Sequence, residues 1–252
     1  MARAKRETEW GSLREWGAGV SAATTPASFP LTRLLDATPM SKFTILLGGE
    51  LTVTSRLRGQ IAGSRVIAAD SGILHAAALG VRPELWAGDF DSVTAEQRKA
   101  FAHIPQMEFP SEKDMTDGEL AVEEALARGA TSLVFAGAFG GARADHAFLH
   151  LAAALALTER GVPTLLTSGN QEGVPLEPGR EAAFDYAPGT LFSVIGFSDI
   201  EGLTISGVRW PLSERSVPFG SSLTISNIVA GELTVKIAAG RAILIANPGE
   251  AS

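Results

Sequence analysis

Six aspartates stand where an alternation of strands and helices would gather them. Asp70 follows the apolar run Arg65–Ala69, and Asp89 and Asp91 follow Leu85–Ala87. Asp114 and Asp117 stand at the head of a helical stretch, and Asp145 opens another behind a glycine-rich loop. In an open parallel sheet, ligands bind beyond the carboxyl ends of the strands, where such loops lie. Carboxylates converging there repel one another, and their pKa values rise. A hard divalent cation relieves that repulsion. Mg2+ takes oxygen ligands and keeps waters and substrate phosphates in its remaining positions. Lys113 and Arg143 add positive charge at the same edge, and arginine suits a bidentate grip on phosphate. Gly137, Gly140 and Gly141 leave an open backbone that a nucleotide could approach. Carboxylates, a metal and cationic clamps are what phosphoryl transfer asks for, because that catalysis is mostly positioning and charge stabilisation.

Each residue also has a plainer reading. A single aspartate after a strand commonly caps a helix or forms a turn, and Asp114 and Asp145 both precede helices. The Asp89-Phe-Asp91 pair, taken with Asp70 and Asp117, favours the metal. Neither the Walker pattern nor G-x-G-x-x-G is present. His75 and His150 lie on apolar helix faces and read as packing residues. His103 reads as a surface residue, and Trp210 as core by residue type alone.

The elements that would position these groups follow from the pattern. It predicts strands at 43–47, 65–69, 106–109, 132–136 and 164–167, with Leu85–Ala87 leading into Gly88. Helices are predicted at 71–79, 94–101, 116–128 and 145–160. Thr94 with Gln97, and Thr116 with Glu119, read as capping boxes. Gly80, Gly129 and Gly161 follow helix ends. Strands alternating with helices argue for a parallel sheet covered on both faces. Beyond Pro175 the texture changes to short strands at 181–186, 190–197, 203–205, 222–225, 232–236 and 242–246, the mark of an antiparallel sandwich. The expected fold is therefore α/β: an N-terminal parallel-sheet nucleotide-binding domain followed by a C-terminal antiparallel β-sandwich. The division is placed at 40–172 and 173–252, after an extension at 1–39.

Composition sets the outer bounds. The chain has 252 residues, 45% hydrophobic and 19% charged, with a formal net charge of −7. A chain of this length buries roughly 70–75% of its unfolded surface and needs no covalent staple. There is no cysteine, which removes disulfides, thiolate metal sites and a cysteine nucleophile and suits a reducing compartment. The acidic balance argues against nucleic-acid binding. The most apolar stretch, Phe148–Leu157, is short and broken by His150, so no membrane span is expected. Residues 1–39 carry a net charge of +1 and lack the apolar core of a secretory signal. They are expected to be a poorly ordered extension, or else translation starts at Met40.

Several segments resemble, in order, the motifs of the thiamine pyrophosphokinase (thiamine diphosphokinase) family. They are Ala69-Asp-Ser-Gly72, Gly88-Asp-Phe-Asp-Ser92, Lys113-Asp-Met-Thr-Asp117 with Glu119-Leu120-Ala121, and Gly141-Ala-Arg-Ala-Asp-His146. In the second half they are Gly202–Leu212, and Pro218–Ser222 through Ser226-Asn227. The resemblance spans about residues 43–246. It implies a cytoplasmic homodimer with active sites between subunits, moving pyrophosphate from ATP to thiamine and giving thiamine diphosphate and AMP. By similarity, Asp70, Asp89, Asp91 and Asp117 hold Mg2+ and, with Arg143, are catalytic. Lys113, Asp114, Thr116, Arg143 and Asp145 match the ATP loops. Trp210, Ser226 and Asn227 match the thiamine side, where an aromatic face can stack on a flat cationic ring. Asp117 is a candidate base for the thiamine hydroxyl. Ser71 departs from the family's usual glycine, at a cost if the position needs a positive φ. Two alternatives stand beside this one. Asp89-Phe-Asp91-Ser-Val93 also fits the nucleophile motif of a haloacid-dehalogenase-like phosphatase, although that motif normally follows the first strand and here two precede it. The other is a non-catalytic binder of thiamine or nucleotide.

Overall fold

The computed structural model describes residues 29–30, 42–110, 112 and 114–249. The expectation for residues 1–39 falls outside these, apart from Phe29–Pro30, a two-residue strand β1. The parallel half is built from β2 (Lys42–Leu46), β3 (Arg65–Ala69), β4 (Leu85–Gly88), β5 (Gln106–Glu108), β6 (Ser132–Ala136) and β7 (Thr164–Thr167). Their order across the sheet is β7-β6-β2-β3-β4-β5, all parallel. Side chains alternate across each strand. Phe43, Ile45, Leu133 and Phe135 pack on one face with Ala121, Val122, Ala154 and Leu157. Leu46, Val66, Ala68 and Val134 pack on the other with Leu57, Ile61, Leu79 and Trp86. Each Leu, Ile, Val or Phe among them, fully buried, stabilises the fold by about 1.5–3 kcal/mol.

The helices are α1 (Ser55–Ile61), α2 (His75–Leu79), α3 (Ala95–Ala100), α4 (Asp117–Ala127) and α5 (Ala144–Glu159). Both expected capping boxes form, Thr94 with Gln97 and Thr116 with Glu119. The helix expected at 71–79 opens as a 3-10 turn over Asp70–Leu74 and becomes α-helical only from His75. Helix α1 had no counterpart in the sequence pattern. It has seven residues and buries only Leu57, Gln60 and Ile61, so its apolar stripe is too short to register as a period.

The second half contains β8 (Glu172–Leu176), β9 (Glu181–Phe184), β10 (Leu191–Gly196), β11 (Ile200–Val208), β12 (Leu212–Val217), β13 (Asn227–Lys236) and β14 (Ala242–Asn247). Strands β8, β14 and β10 continue the parallel sheet with antiparallel neighbours. The long β13 begins against β10 and then crosses to a second sheet with β9 and β11. One sheet of the sandwich is therefore an extension of the α/β sheet. The strand expected at 222–225 is instead a turn. Thr224 faces inward and donates to Val194 O (2.6 Å), while Leu223 and Ile225 stay exposed.

A buried polar cluster joins the halves. Glu172, 1% exposed, accepts from Arg56 Nε (2.5 Å), Gln60 Nε2 (2.6 Å) and Tyr186 Oη (3.1 Å). It ties α1 to the first antiparallel strand and to the loop after β9.

Candidate active site

The carboxyl ends of β3 and β4 carry the acidic loops. Asp70 begins the turn after β3, at φ +43. Asp89 and Asp91 follow β4, with Phe90 between them at φ +61. A bulky residue in that region is strained by about 1–3 kcal/mol, and packing holds it there. The Phe90 ring is buried, meets Trp86 edge-on at 4.6 Å, and lies under the Arg98 guanidinium at 4.4 Å. Asp117 is the first residue of α4, directly after its cap Thr116. Asp70, Asp89 and Asp117 each offer a carboxylate oxygen within 4.8 Å of the others.

The electrostatics are those of a crowded anionic site. The Asp89 charge pushes the Asp91 carboxyl above its ordinary value. A small loss of hydration, a hydrogen bond with Asp89 and the charges of Asp70 and Asp117 add to it. Asp70 Oδ1 is buried and has no hydrogen-bond partner. An orphaned oxygen, on a carboxylate grouped with two others, is costly as it stands and fits a divalent cation. Mg2+ would find its oxygen ligands here.

The positive φ that would have made Ser71 costly falls one residue earlier, on Asp70. Thr116 spends its hydroxyl on the cap, accepting from Glu119 N (3.3 Å) and donating to Glu119 Oε2 (2.9 Å). Asp114 is exposed in the preceding loop; Lys113 lies outside the described residues. Arg143 and Asp145 stand at the start of α5, both exposed, in a bidentate pair at 2.9 and 2.6 Å. The Arg143 hydrogen bonds hold the Asp145 carboxyl well below the usual carboxylate range. His75 and His150 bond the backbone of the glycine-rich edge. His75 Nε2 is 2.9 Å from Gly49 O, and His150 Nδ1 is 3.1 Å from Ala138 O.

A second cluster forms on the sandwich. Trp210 is 51% exposed, so it is not core. The buried Asn227 grips its backbone from both sides, donating to Trp210 O (2.8 Å) and accepting from Trp210 N (3.3 Å). The Arg209 guanidinium lies 4.7 Å from the Trp210 ring centroid. Ser226 adopts φ +62 and donates its N–H to Ser193 Oγ (3.0 Å).

One row of paired residues links the two clusters along a single sheet edge. It runs Asn227, Phe192, Ala246, Glu172, Thr167, Ala136, Leu46, Ala68. Seven strand spacings of ~4.8 Å make a path of ~34 Å. Sequence reasoning missed Trp86, Ser92 and the strained Phe90. Only the side-chain geometry shows what they hold.

Comparison with known proteins identifies the family. A family model described as "Thiamin pyrophosphokinase, catalytic domain" matches residues 62–166. A second, "Thiamin pyrophosphokinase, vitamin B1 binding domain", matches residues 181–244. A thiamine pyrophosphokinase of Bacillus subtilis (strain 168) is 31% identical over 215 residues, covering 82% of this chain and 98% of its own. The crystal structure of a thiamine pyrophosphokinase from Bacillus subtilis superposes with a TM-score of 0.72 at 27% identity, over 82% of this chain and 98% of that one. One from Geobacillus thermodenitrificans gives 0.69 at 27% identity, with the same coverage.

Proposed function

We infer that this chain, which belongs to the thiamin pyrophosphokinase family, transfers pyrophosphate from ATP to the hydroxyl of thiamine. The products are thiamine diphosphate and AMP. The thiamine oxygen attacks the β-phosphorus, the bond from that phosphorus to the oxygen bridging it to the α-phosphate breaks, and the hydroxyl proton is released. The observation that carries the reading is the group of three aspartates at the carboxyl edge, with Asp70 Oδ1 buried and unpartnered.

The division of labour follows the two clusters. Residues 40–172 bind ATP and residues 173–252 bind thiamine. Asp70, Asp89, Asp91 and Asp117 hold Mg2+. When bound, the cation neutralises charge on the triphosphate and on the leaving AMP. Arg143 presents a planar fork to phosphate oxygens, exchanging its partner Asp145 for the nucleotide. We assign Lys113, Asp114, Thr116 and Asp145 to ATP as well. Trp210 offers its exposed ring to the thiamine cation, with Ser226 and Asn227 shaping the backbone beside it.

The ~34 Å path between the clusters is too long for one small substrate pair to bridge. It supports a homodimer in which the acidic edge of one subunit meets the Trp210 cluster of the other. Among the described residues no helix is long and apolar enough to cross a membrane. With no cysteine in the chain, we place the enzyme in the reducing cytoplasm.

Incubation with Mg-ATP, with and without thiamine, followed by chromatography of the nucleotides, tests the reading. AMP and thiamine diphosphate formed only when thiamine is present support it. ADP or free phosphate formed without thiamine would overturn it.

A further inference from the structure

Asp70 is held by two residues of the β4 segment and the turn after it, one of which reaches its carboxylate, and a third leaves it room. The Trp86 indole N–H donates to Asp70 O at 2.8 Å. Gly88 leaves room that a Cβ would take, since such an atom would lie 3.3 Å from Asp70 Cα and Cβ. The Ser92 hydroxyl donates to Asp70 Oδ2. That leaves Oδ1 as the free oxygen, buried and without a partner. A carboxylate turns freely about its last bond and offers either oxygen. A hydrogen bond on one oxygen fixes which one the cluster receives.

We propose that Ser92 is a positioning residue for the divalent cation: its hydroxyl locks the Asp70 carboxylate so that Oδ1 points at Asp89 and Asp117. The inference rests on the metal-dependent reading above and deepens it. Ser92 acts through Asp70 rather than by touching the cation. Partners of this kind change metal affinity by roughly 10–100-fold. A structural role does not explain the contact. Thr94, not Ser92, caps α3, and Ser92 is exposed, so removing its hydroxyl opens no cavity.

The test titrates Mn2+ into the full chain without nucleotide, by calorimetry and by electron paramagnetic resonance. It compares wild type, Ser92→Ala, Ser92→Thr and Asp70→Asn. Ser92→Ala is expected to weaken Mn2+ binding about tenfold or more. The Mg2+ concentration for half-maximal turnover should rise in parallel, with the KM for thiamine unmoved. Ser92→Thr keeps the hydroxyl and should restore most of the affinity. Wild-type Mn2+ affinity in Ser92→Ala, or equal loss in Ser92→Thr, would overturn the proposal. If Asp70→Asn alone loses Mn2+, the metal site stands and only the role of Ser92 falls. If wild type takes up no Mn2+ here, both readings fall.

Discussion

Replacing Asp89 by Asn removes one charge from the acidic cluster and almost no volume. The amide oxygen still accepts from Asp91 N, a contact of 3.2 Å in the wild type, so the turn after β4 keeps its hydrogen bond. What changes is the repulsion toward Asp91 and toward Asp70 and Asp117, whose oxygens lie within 4.8 Å. Two charges ~5 Å apart repel by ~0.8 kcal/mol at the dielectric of water and by ~3 kcal/mol at an effective value of 20. All three aspartates are half-exposed, so the lower figure governs. The repulsions toward Asp70 and Asp117 alone amount to about 1–2 kcal/mol of relief. For a chain of this size that raises the metal-free Tm by roughly 2–8 °C. The cation reverses the order. At a hundred times its Kd it stabilises the wild type by ~2.7 kcal/mol, and the variant gains less. Thermal unfolding in EDTA and in excess Mn2+ should therefore show the two melting curves exchanging places. Turnover should fall by about a hundredfold or more, since charge stabilisation by the ion is worth several kcal/mol. A variant less stable than wild type in EDTA, with an undiminished Mn2+ shift, would refute the reasoning.

Trp210→Ala should raise the KM for thiamine and leave that for ATP unchanged, with little effect on Tm because the ring is half-exposed. Co-expressed with Asp89→Asn, it tests the shared site. A mixed dimer carries both defects in one site and none in the other, so about a quarter of wild-type activity should return; no recovery would place both clusters in one subunit's site. Glu172→Ala strands Gln60, Tyr186 and part of Arg56. It should cost about 3 kcal/mol or more in denaturant unfolding, and a change under 1 kcal/mol would show the cluster to be incidental. In EDTA, the raised Asp91 carboxyl binds its proton more tightly folded than unfolded. Its charge costs stability above the folded pKa, and that cost is relieved as pH falls through that pKa toward the unfolded value. The Tm gap between Asp91→Asn and wild type should shrink over that interval; a gap that widened would reverse the sign.

The α/β half was legible because its signals are local. Capping boxes, positive-φ glycines after helices and short apolar runs each depend on neighbours in the chain: boxes open α3 and α4, Gly80, Gly129 and Gly161 follow α2, α4 and α5, and apolar runs form β3 and β6. The second half was less so. β12 (Leu212–Val217) buries only Val217 fully, so it has no apolar alternation to read. The segment at 222–225 alternates but is a turn, because Thr224 finds its partner in Val194, a residue distant in sequence. The continuity of the two sheets was not readable at all, since it depends on β7 pairing with β8 across a short connection.

The site divides in the same way. Carboxylates spaced after strands announce themselves, because no purely structural demand gathers so many charges at one edge. The groups that hold them do not. Trp86 and Phe90 read as core, and they are core, yet their contacts fix the backbones of Asp70 and of the Asp89–Asp91 turn. Ser92 stands in the Gly88–Ser92 motif without a role of its own until Asp70 is folded against it. The strain at Asp70 and Phe90 is the same fact seen from the backbone. Two residues with side chains occupy the left-handed region because packing on β4 makes the relaxed conformations less favourable still. Packing on β4 thus helps to bring the carboxylates together, and on the proposed reading the folded protein bears their repulsion so that the metal and nucleotide need not organise the site.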